Sequence, residues 1–187
     1  MRFEHDASPP MRVAASRRLG GSYLGLRLDE CVWADGTTAE FNVVEAPGST
    51  LIVPFFADGT TVLVRQWRHA WARTSWEVTA GTIEEGEEPI DCARRELVEE
   101  AGLTARHWTP LGTVRPSAWV TNVQHLFLAR ELVEVERRPE VYEQDLTVRR
   151  VPLAEAVAAA LGGDIEHAGS IVALCRATRE LGVGPAA

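Results

Sequence analysis

Alternating apolar and polar residues in the first half of the chain predict a series of β-strands. Residues 22–33 show this pattern and are rich in β-forming residues, and three further runs are strand-like: 37–46, 49–57 and 60–69. Asp35-Gly36 separates the first two runs and Asp58-Gly59 separates the last two, and a turn of this type between two strands predicts a hairpin. A fifth strand is predicted at residues 76–80, directly before a glycine and an acidic stretch.

The spacing of apolar residues changes after Pro89, where it predicts an amphipathic helix that ends near Gly102. Its apolar positions recur every three or four residues: Ile90, Ala93, Leu97 and Ala101. Proline is favoured in the first turn of a helix and glycine just after the last turn, so both ends of this helix have matching residues. Residues 82–88 are acidic, contain a glycine and are predicted to form a loop before the helix.

The remaining pattern predicts further strands and two more helices. Strands are expected at three places: 107–115, 123–130 and 145–151. Helices are expected at 153–161 and 165–181, whereas residues 1–18 lack apolar periodicity and are expected to form a loose arm. Strands and helices therefore interleave, which favours an α/β fold with a mixed sheet flanked by helices.

Composition narrows the class of protein. The chain has 187 residues and a net charge of -8, which allows one full core and disfavours a general nucleic-acid-binding surface. Cys31, Cys92 and Cys175 lie far apart without CxxC spacing, so neither a disulfide framework nor a zinc site is expected. The sequence shows no signal peptide and no apolar run of membrane-spanning length. We therefore expect a cytoplasmic protein with no nucleic-acid or membrane partner.

The end of the predicted central helix is densely charged between residues 95 and 100. Glu96 and Glu100 are four residues apart and share one face of a helix, where like charges repel. A cation between the two carboxylates removes this repulsion, and oxygen ligands of this kind suit Mg²⁺ or Mn²⁺. The alternative is a solvated, charged helix face without a site, which the charge pattern taken alone favours.

The stretch from Gly81 to Leu103 resembles the Nudix box, whose pattern is Gx5Ex7REUxEExGU with U a bulky apolar residue. Every position of the pattern is filled: Gly81, Glu87, Arg95, Glu96, Leu97, Glu99, Glu100, Gly102 and Leu103. The resemblance implies a Nudix α/β/α sandwich with a mixed sheet and a small N-terminal β region. It also implies a hydrolase that cleaves a nucleoside diphosphate linked to another group and uses divalent metals.

The resemblance assigns roles to individual residues. Glu96 and Glu100 correspond to the principal ligands of Mg²⁺, or of Mn²⁺ in its place. Glu99 corresponds to a further ligand, or to a base in some relatives. Arg95 is spaced to pair with Glu99 at i,i+4 and to orient it. Ala80, just before the box glycine, is implied to lend its carbonyl oxygen to a metal.

The residues before the box resemble those of ADP-ribose and nucleoside-diphosphate-sugar pyrophosphatases. Residues 66–68 (QWR) resemble their Gln-aromatic-Arg strand, and residues 76–81 (WEVTAG) resemble their Trp-Glu-x-Pro-Ala-Gly with Thr79 in place of proline. Arg68 is implied to hold a substrate phosphate, with an ordinary salt bridge as the alternative. Glu77 is implied to contact a sugar or a metal-bound water, with pairing to an arginine as the alternative.

Two other segments bear on substrate and catalysis. The loop at residues 116–122 lacks the glycine and glutamate that these pyrophosphatases commonly have there, which weighs against ADP-ribose itself and leaves a nucleoside-diphosphate sugar plausible. Trp119 in this loop is a candidate to stack on a base or sugar, with simple packing as the alternative. Glu143 is the candidate catalytic base, with Glu140 and Asp145 as rivals and a solvated acidic connector as the alternative.

Taken together, the resemblance predicts metal-dependent hydrolysis of the diphosphate in an ADP-ribose-like or nucleoside-diphosphate-sugar substrate, giving a nucleoside monophosphate and a sugar phosphate. It also implies a homodimer, in which residues 1–46 form an arm and a small β region for dimerisation, while residues 47–187 form the hydrolase domain. Two alternatives stay open. One is a Nudix hydrolase of dinucleoside polyphosphates or oxidised nucleotides, and the other is a non-catalytic nucleotide sensor.

Overall fold

A computed structural model describes residues 8–21, 23–139 and 145–183. The chain divides into two compact units. The first contains the residues up to Pro47 together with Ser117–Thr121, and the second contains Gly48–Pro116 and the residues from Asn122 onwards. The whole of the Nudix-like box therefore lies in the second unit.

The first unit contains a three-stranded antiparallel sheet in the order β1-β2-β3. Its strands are β1 (Met11–Arg18), β2 (Gly25–Trp33) and β3 (Thr38–Glu45). The hairpin predicted across Asp35-Gly36 joins β2 to β3, and Gly36 has a φ of 87°, which favours glycine. The loose arm predicted for residues 1–18 is wrong over Met11–Arg18, because β1 pairs with β2, and residues 1–7 lie outside the described residues. Seven of the eight β1 residues are exposed, so this edge strand has no apolar alternation to reveal it.

The second unit combines two sheets with three helices in its described residues. Its strands are β4 (Ser49–Pro54), β5 (Thr60–Arg68), β6 (Arg73–Glu77), β7 (Thr79–Thr82), β8 (Leu103–Val114), β9 (Gln124–Glu134) and β10 (Thr147–Pro152). Its helices are α1 (Pro89–Ala101), α2 (Leu153–Gly162) and α3 (Ala168–Leu181). One sheet is mixed, in the order β7-β4-β9-β8 with β4 parallel to β9, and the other is antiparallel, in the order β10-β5-β6.

The hairpin predicted between β4 and β5 is wrong. A turn does form at Asp58-Gly59, where the Phe56 N–H donates to the Thr60 carbonyl at 2.9 Å. Beyond a single bridge between Phe55 and Thr61, however, the two strands separate into different sheets. β4 lies between β7 and β9 and is buried along almost its whole length, so its pairing is decided by long-range contacts that a turn signal does not report.

The single strand predicted at residues 76–80 is also wrong, because it is two strands. β6 ends at Glu77 and β7 begins at Thr79, and the two strands belong to different sheets. Val78 at the break is fully buried, and its N–H donates to the Ser170 side chain at 3.0 Å. This side-chain bond replaces the ladder hydrogen bond that the break removes.

The core lies on both faces of the mixed sheet. Leu51, Val53 and Leu126 pack in a cluster with residues of α2 and α3. Ile52 and Phe127, which alternate with them along β4 and β9, pack in a second cluster with residues of α1. Because successive side chains of a strand point to opposite faces, α1 lies on one face and α2 with α3 on the other. The predicted α/β/α sandwich is therefore confirmed.

Candidate active site

The box forms a strand–loop–helix segment in which β7 leads into α1. Gly81 on β7 approaches Glu96 on α1 so closely that a Cβ added to Gly81 would lie 1.8 Å from the Glu96 carboxyl group. Only a residue without a side chain allows this approach. As predicted, α1 begins with Pro89 and is followed by Gly102, whose φ of 64° is left-handed. The glycine at the start of the box thus places a carboxylate directly against the β7 backbone.

Arg95 holds three carboxylates of the box together. Its Nε and Nη2 atoms donate to Glu87 at 3.0 and 2.9 Å. Its Nη1 atom donates to Glu96 at 2.7 Å and to Glu99 at 2.9 Å, so the Arg95–Glu99 pair expected from the spacing is present. The hydrogen bond from Arg95 lowers the pKa of Glu87 below its ordinary value. Conversely, the hydrogen bond to Glu87 is the main cause of the raised pKa of Arg95, with Glu96 and Glu99 adding to it.

Glu100 lies one turn further along α1 and is held by the backbone. Its Oε2 atom accepts the N–H of Ala80 at 2.8 Å. Glu100 is only 1% exposed and Glu96 only 6% exposed, so both carboxylates are largely withdrawn from water. Buried carboxylates on one helix face need compensating positive charge or hydrogen bonds. This burial distinguishes the pair from the solvated helix face that the sequence left open.

The chemistry of this set of donors fits a divalent cation. The candidate ligands are the carboxylates of Glu96, Glu99 and Glu100 and the carbonyl oxygen of Ala80, which are hard oxygen donors. Each ionised carboxylate has more lone pairs than Arg95 or the Ala80 N–H uses. Within residues 8–21, 23–139 and 145–183, no three His, Cys, Asp or Glu side chains already converge as a metal-binding group.

Arg68 and Glu77 form a second charged pair, at the ends of β5 and β6. Arg68 donates through Nε to Oε1 of Glu77 at 2.7 Å and through Nη2 to Oε2. Burial acts to raise the pKa of Glu77, but Arg68 and His167 outweigh it and the pKa is lowered. Burial acts to lower the pKa of Arg68, but Glu77 and the negative charge of Glu100 outweigh it. Arg68 is therefore close enough to Glu100 on α1 to be affected by its charge.

The pair differs in exposure. The Glu77 side chain is completely buried, whereas the Arg68 side chain is 35% exposed. The sequence left two roles open for each residue, an ordinary ion pair or a contact with the substrate. The ion pair between Arg68 and Glu77 is present. Arg68 still has N–H groups beyond the two that Glu77 accepts, since a guanidinium carries five. An outward-facing cation anchored on a buried anion is suited to binding an anionic group.

His167 and Ser170 are the functional candidates that sequence reasoning missed. His167 Nδ1 lies 3.2 Å from Oε2 of Glu77 and 2.8 Å from Oγ of Ser170. Ser170 is fully buried and also accepts the N–H of Val78, which lies 92 positions earlier in the chain. No motif or spacing links residues so far apart, so only the folded structure brings them together.

The remaining candidates are a tryptophan of the first unit and three acids of the connector before β10. Trp119 belongs to the first unit and is 60% exposed. Glu143 and its rival Glu140 fall outside the described residues, whereas Asp145 is exposed. Burial raises the pKa of Cys92 to about 12, so this thiol on α1 stays protonated. In the residues that the structure describes, no helix is long and apolar enough to cross a membrane.

Comparisons with known proteins bear on the same segment and on the fold. The family model described as the NUDIX domain matches residues 46–174. ADP-ribose pyrophosphatase of Bacillus subtilis (strain 168) is 31% identical over 147 residues, which cover 78% of this chain and 80% of that protein. ADP-ribose pyrophosphatase of Mycobacterium tuberculosis (strain ATCC 25618 / H37Rv) is 34% identical over 166 residues, which cover 87% of this chain and 78% of that protein.

A solved structure resembles the whole chain. The crystal structure of an ADP compounds hydrolase matches with a TM-score of 0.82, covering 95% of this chain and 97% of the other. The two sequences are 20% identical, so this likeness establishes the fold.

Proposed function

This chain belongs to the Nudix family, and from that premise we propose that it hydrolyses the diphosphate linkage of an ADP-ribose-like or nucleoside-diphosphate-sugar substrate. The products are a nucleoside monophosphate and a sugar phosphate. One observation carries the proposal: Glu100, one of the acids of α1 that suit a cation, is close enough to Arg68, which suits a phosphate, to raise the pKa of the Arg68 guanidinium. The similarity to ADP-ribose pyrophosphatases supports ADP-ribose as the first substrate to test.

The proposed metal is Mg²⁺, with Mn²⁺ as a substitute, held by Glu96, Glu99, Glu100 and the carbonyl oxygen of Ala80. A bound divalent cation neutralises phosphate oxygens and lowers the pKa of a bound water. Arg95 keeps Glu96 and Glu99 side by side, since both accept from its Nη1 atom. Gly81 leaves the space in which the Glu96 carboxylate sits.

Arg68 is proposed to bind a phosphate oxygen of the substrate through its remaining N–H groups. Its position is supported by the fork of hydrogen bonds to Glu77. Because Glu77 is fully buried, its contribution to substrate binding is proposed to act through Arg68. Trp119 is proposed to stack on the base or sugar, which its exposed ring supports. The base that activates water is proposed to be Glu143, or Glu99 on α1.

Assembly and location are further parts of the proposal. We propose a homodimer formed through residues 1–46. The three-stranded sheet of the first unit supports this, because Val13, Leu24 and Leu26 expose large apolar side chains there. A cytoplasmic location is supported by Cys31, Cys92 and Cys175, all of which are free thiols. Light scattering on the purified protein tests the dimer directly.

The activity test is a panel of nucleotide substrates with Mg²⁺, with products identified by chromatography. ADP-ribose and several nucleoside-diphosphate sugars represent the proposed class, and dinucleoside polyphosphates and oxidised nucleotides represent the alternatives. We expect AMP and ribose 5-phosphate from ADP-ribose. Turnover confined to the alternative substrates would overturn the proposed class, and binding without turnover under any metal would favour a sensor.

Glu100→Gln tests the metal site within the same panel. The amide keeps the size of the side chain but removes its charge, so we expect turnover to fall by about 1000-fold or more. Exposed Glu155 on α2 provides the matched control, since Glu155→Gln removes the same charge far along the chain from the box. Near-normal turnover by Glu100→Gln, with both variants folded by circular dichroism, would contradict the assignment.

A further inference from the structure

We infer that His167 is a positioning residue, which acts through buried Glu77 to hold Arg68 in the orientation that presents its free N–H groups to the diphosphate. This inference rests on the proposed function of Arg68. It concerns a histidine that lies on a different element from both members of the ion pair. Three contacts and the packing beneath them support it.

The first support is the arrangement around Glu77. Its Oε2 atom accepts from Arg68 Nη2 and also lies 3.2 Å from His167 Nδ1. The charge of Glu77 favours a proton on Nδ1, and Ser170 Oγ lies 2.8 Å from the same nitrogen. The carboxylate group is thus contacted by a nitrogen from β5 and by one from the residue that precedes α3.

The second support is that His167 is itself fixed. Its Nδ1 atom lies 2.8 Å from Ser170 Oγ, and that hydroxyl also accepts the Val78 N–H at 3.0 Å. Ser170 therefore ties the imidazole to the peptide that directly follows Glu77. Moving the imidazole would break its hydrogen bond to a hydroxyl that is itself held by the backbone.

The third support is the packing of α3, whose first turn follows His167. A Cβ added to Gly169 would lie 2.6 Å from the Gln124 side chain and 2.7 Å from that of Leu51. The first turn of α3 is therefore pressed against β4 and β9, the central strands of the mixed sheet. This contact gives the histidine a rigid base.

Without the imidazole N–H, Glu77 keeps only Arg68 as a charged partner. A buried carboxylate that loses one contact shifts to strengthen its remaining hydrogen bonds. The Arg68 guanidinium moves with the Glu77 carboxylate, because two of its nitrogen atoms are bound to it. The exposed part of Arg68 would then leave the orientation in which its free N–H groups meet a phosphate. The loss falls on substrate affinity, because the Arg68 contact is expected to be present before and during the reaction.

The test compares two variants of His167, one that keeps an N–H group near the position of Nδ1 and one that removes it. His167→Asn keeps an amide close to the position of Nδ1, whereas His167→Phe keeps a ring against Trp71, whose centroid lies 6.3 Å away, but removes the donor. For hydrolysis of ADP-ribose with Mg²⁺, we expect His167→Phe to raise KM about tenfold and to leave kcat within about threefold. His167→Asn is expected to restore KM to within about threefold of the wild-type value. If His167→Phe does not fold, His167→Gln replaces it, because its amide reaches past Nδ1.

A double-mutant experiment with Arg68 distinguishes a positioning role of His167 from a general loss of structure. In an Arg68→Ala background, adding His167→Phe is expected to change KM by less than about twofold, because its effect depends on Arg68. A tenfold change that persists in that background would overturn the inference. Equal KM values for His167→Phe and the wild type would overturn it as well.

A second readout does not depend on activity. The Arg68 Nε–H signal is assigned by nuclear magnetic resonance through its loss in Arg68→Lys, and its exchange with water is measured. We expect exchange roughly tenfold faster in His167→Phe than in the wild type or His167→Asn. If no variant, nor the wild type, hydrolyses any diphosphate, the proposed function fails, while this exchange rate still decides whether His167 holds Arg68. Unchanged exchange overturns the inference in either case.

Discussion

The second unit contains two clusters of charged side chains, one around Arg95 and one around Arg68, and their charge balance is opposite. Around Arg95, three carboxylates of one short segment share one guanidinium: Glu87, Glu96 and Glu99. The cluster is left with excess negative charge, which suits a cation. Around Arg68, one fully buried carboxylate accepts two N–H groups and the guanidinium is partly exposed, which suits an anion.

The clusters also differ in how they are assembled. The acids on Arg95 come from the loop and helix of a single segment, within eight residues of it. The Arg68 cluster needs β5, β6 and the start of α3. The Arg95 cluster can be predicted from the sequence because its residues are close together in the chain. The Arg68 cluster cannot, because its residues come from distant elements. The box motif therefore predicts the carboxylate-rich cluster around Arg95 and gives no information about the cluster around Arg68.

Gly81→Ala is expected to have the largest effect, on the negative cluster alone. The added Cβ would lie 1.8 Å from the Glu96 carboxyl group, so Glu96 must move. A displacement of this size at a reacting centre costs about 100-fold in kcat/KM. Gly162→Ala is the control, because no atom lies within 4 Å of its added Cβ. Equal activity of the two variants would show that the position of Glu96 is unimportant.

Replacing each arginine by lysine is expected to have a smaller effect that separates the clusters. Lysine keeps the charge but loses the fork of N–H groups. Arg95→Lys leaves carboxylates without donors, and we expect the free energy of unfolding to fall by about 1–2 kcal/mol. Arg68→Lys is expected to raise KM by about tenfold. Urea unfolding and steady-state kinetics on both variants check this. If both variants changed stability and KM to the same extent, the proposed difference between the two clusters would be wrong.

The smallest effect expected is on the pH dependence of stability, and it concerns the Arg68 cluster. Burial lowers the pKa of His167 below 6.5, so the unfolded chain takes up this proton at a higher pH than the folded protein does. Stability from this group is present above pH 6.5 and falls as the pH drops, by at most about 1.4 kcal/mol per pH unit. The lowered pKa of Glu77 acts in the same direction below pH 4.5. Urea midpoints between pH 7.5 and 5.5 should fall less steeply for His167→Asn, and parallel curves would contradict this.

Sequence reasoning succeeded where the deciding contacts are local. Pro89, Gly102 and the apolar spacing between them predict α1, because a helix is made of contacts three or four residues apart. The Arg95–Glu99 pair follows from the same spacing. The elements of the α/β/α sandwich could be read from periodicity and their arrangement from the family resemblance.

Sequence reasoning failed where distant contacts decide. The turn at Asp58-Gly59 is real, yet β4 and β5 enter different sheets because buried β4 pairs with β7 and β9. β1 was missed because the strand is held by backbone pairing and buries almost no side chain. The contact between His167 and Glu77 was missed because no periodicity connects α3 with β6.

The break at Val78 has a consequence for which changes in length the chain tolerates. Glu77 and Ala80 belong to different sheets but are separated by three peptide units, which limits the distance between their Cα atoms to roughly 10 Å. No loop lies between them to absorb an inserted residue, and one insertion would also exchange the inward and outward directions of the side chains that follow. The separation of the proposed anion-binding and cation-binding halves is thus limited by covalent geometry. Variation in the size of the substrate must be accommodated elsewhere in the chain.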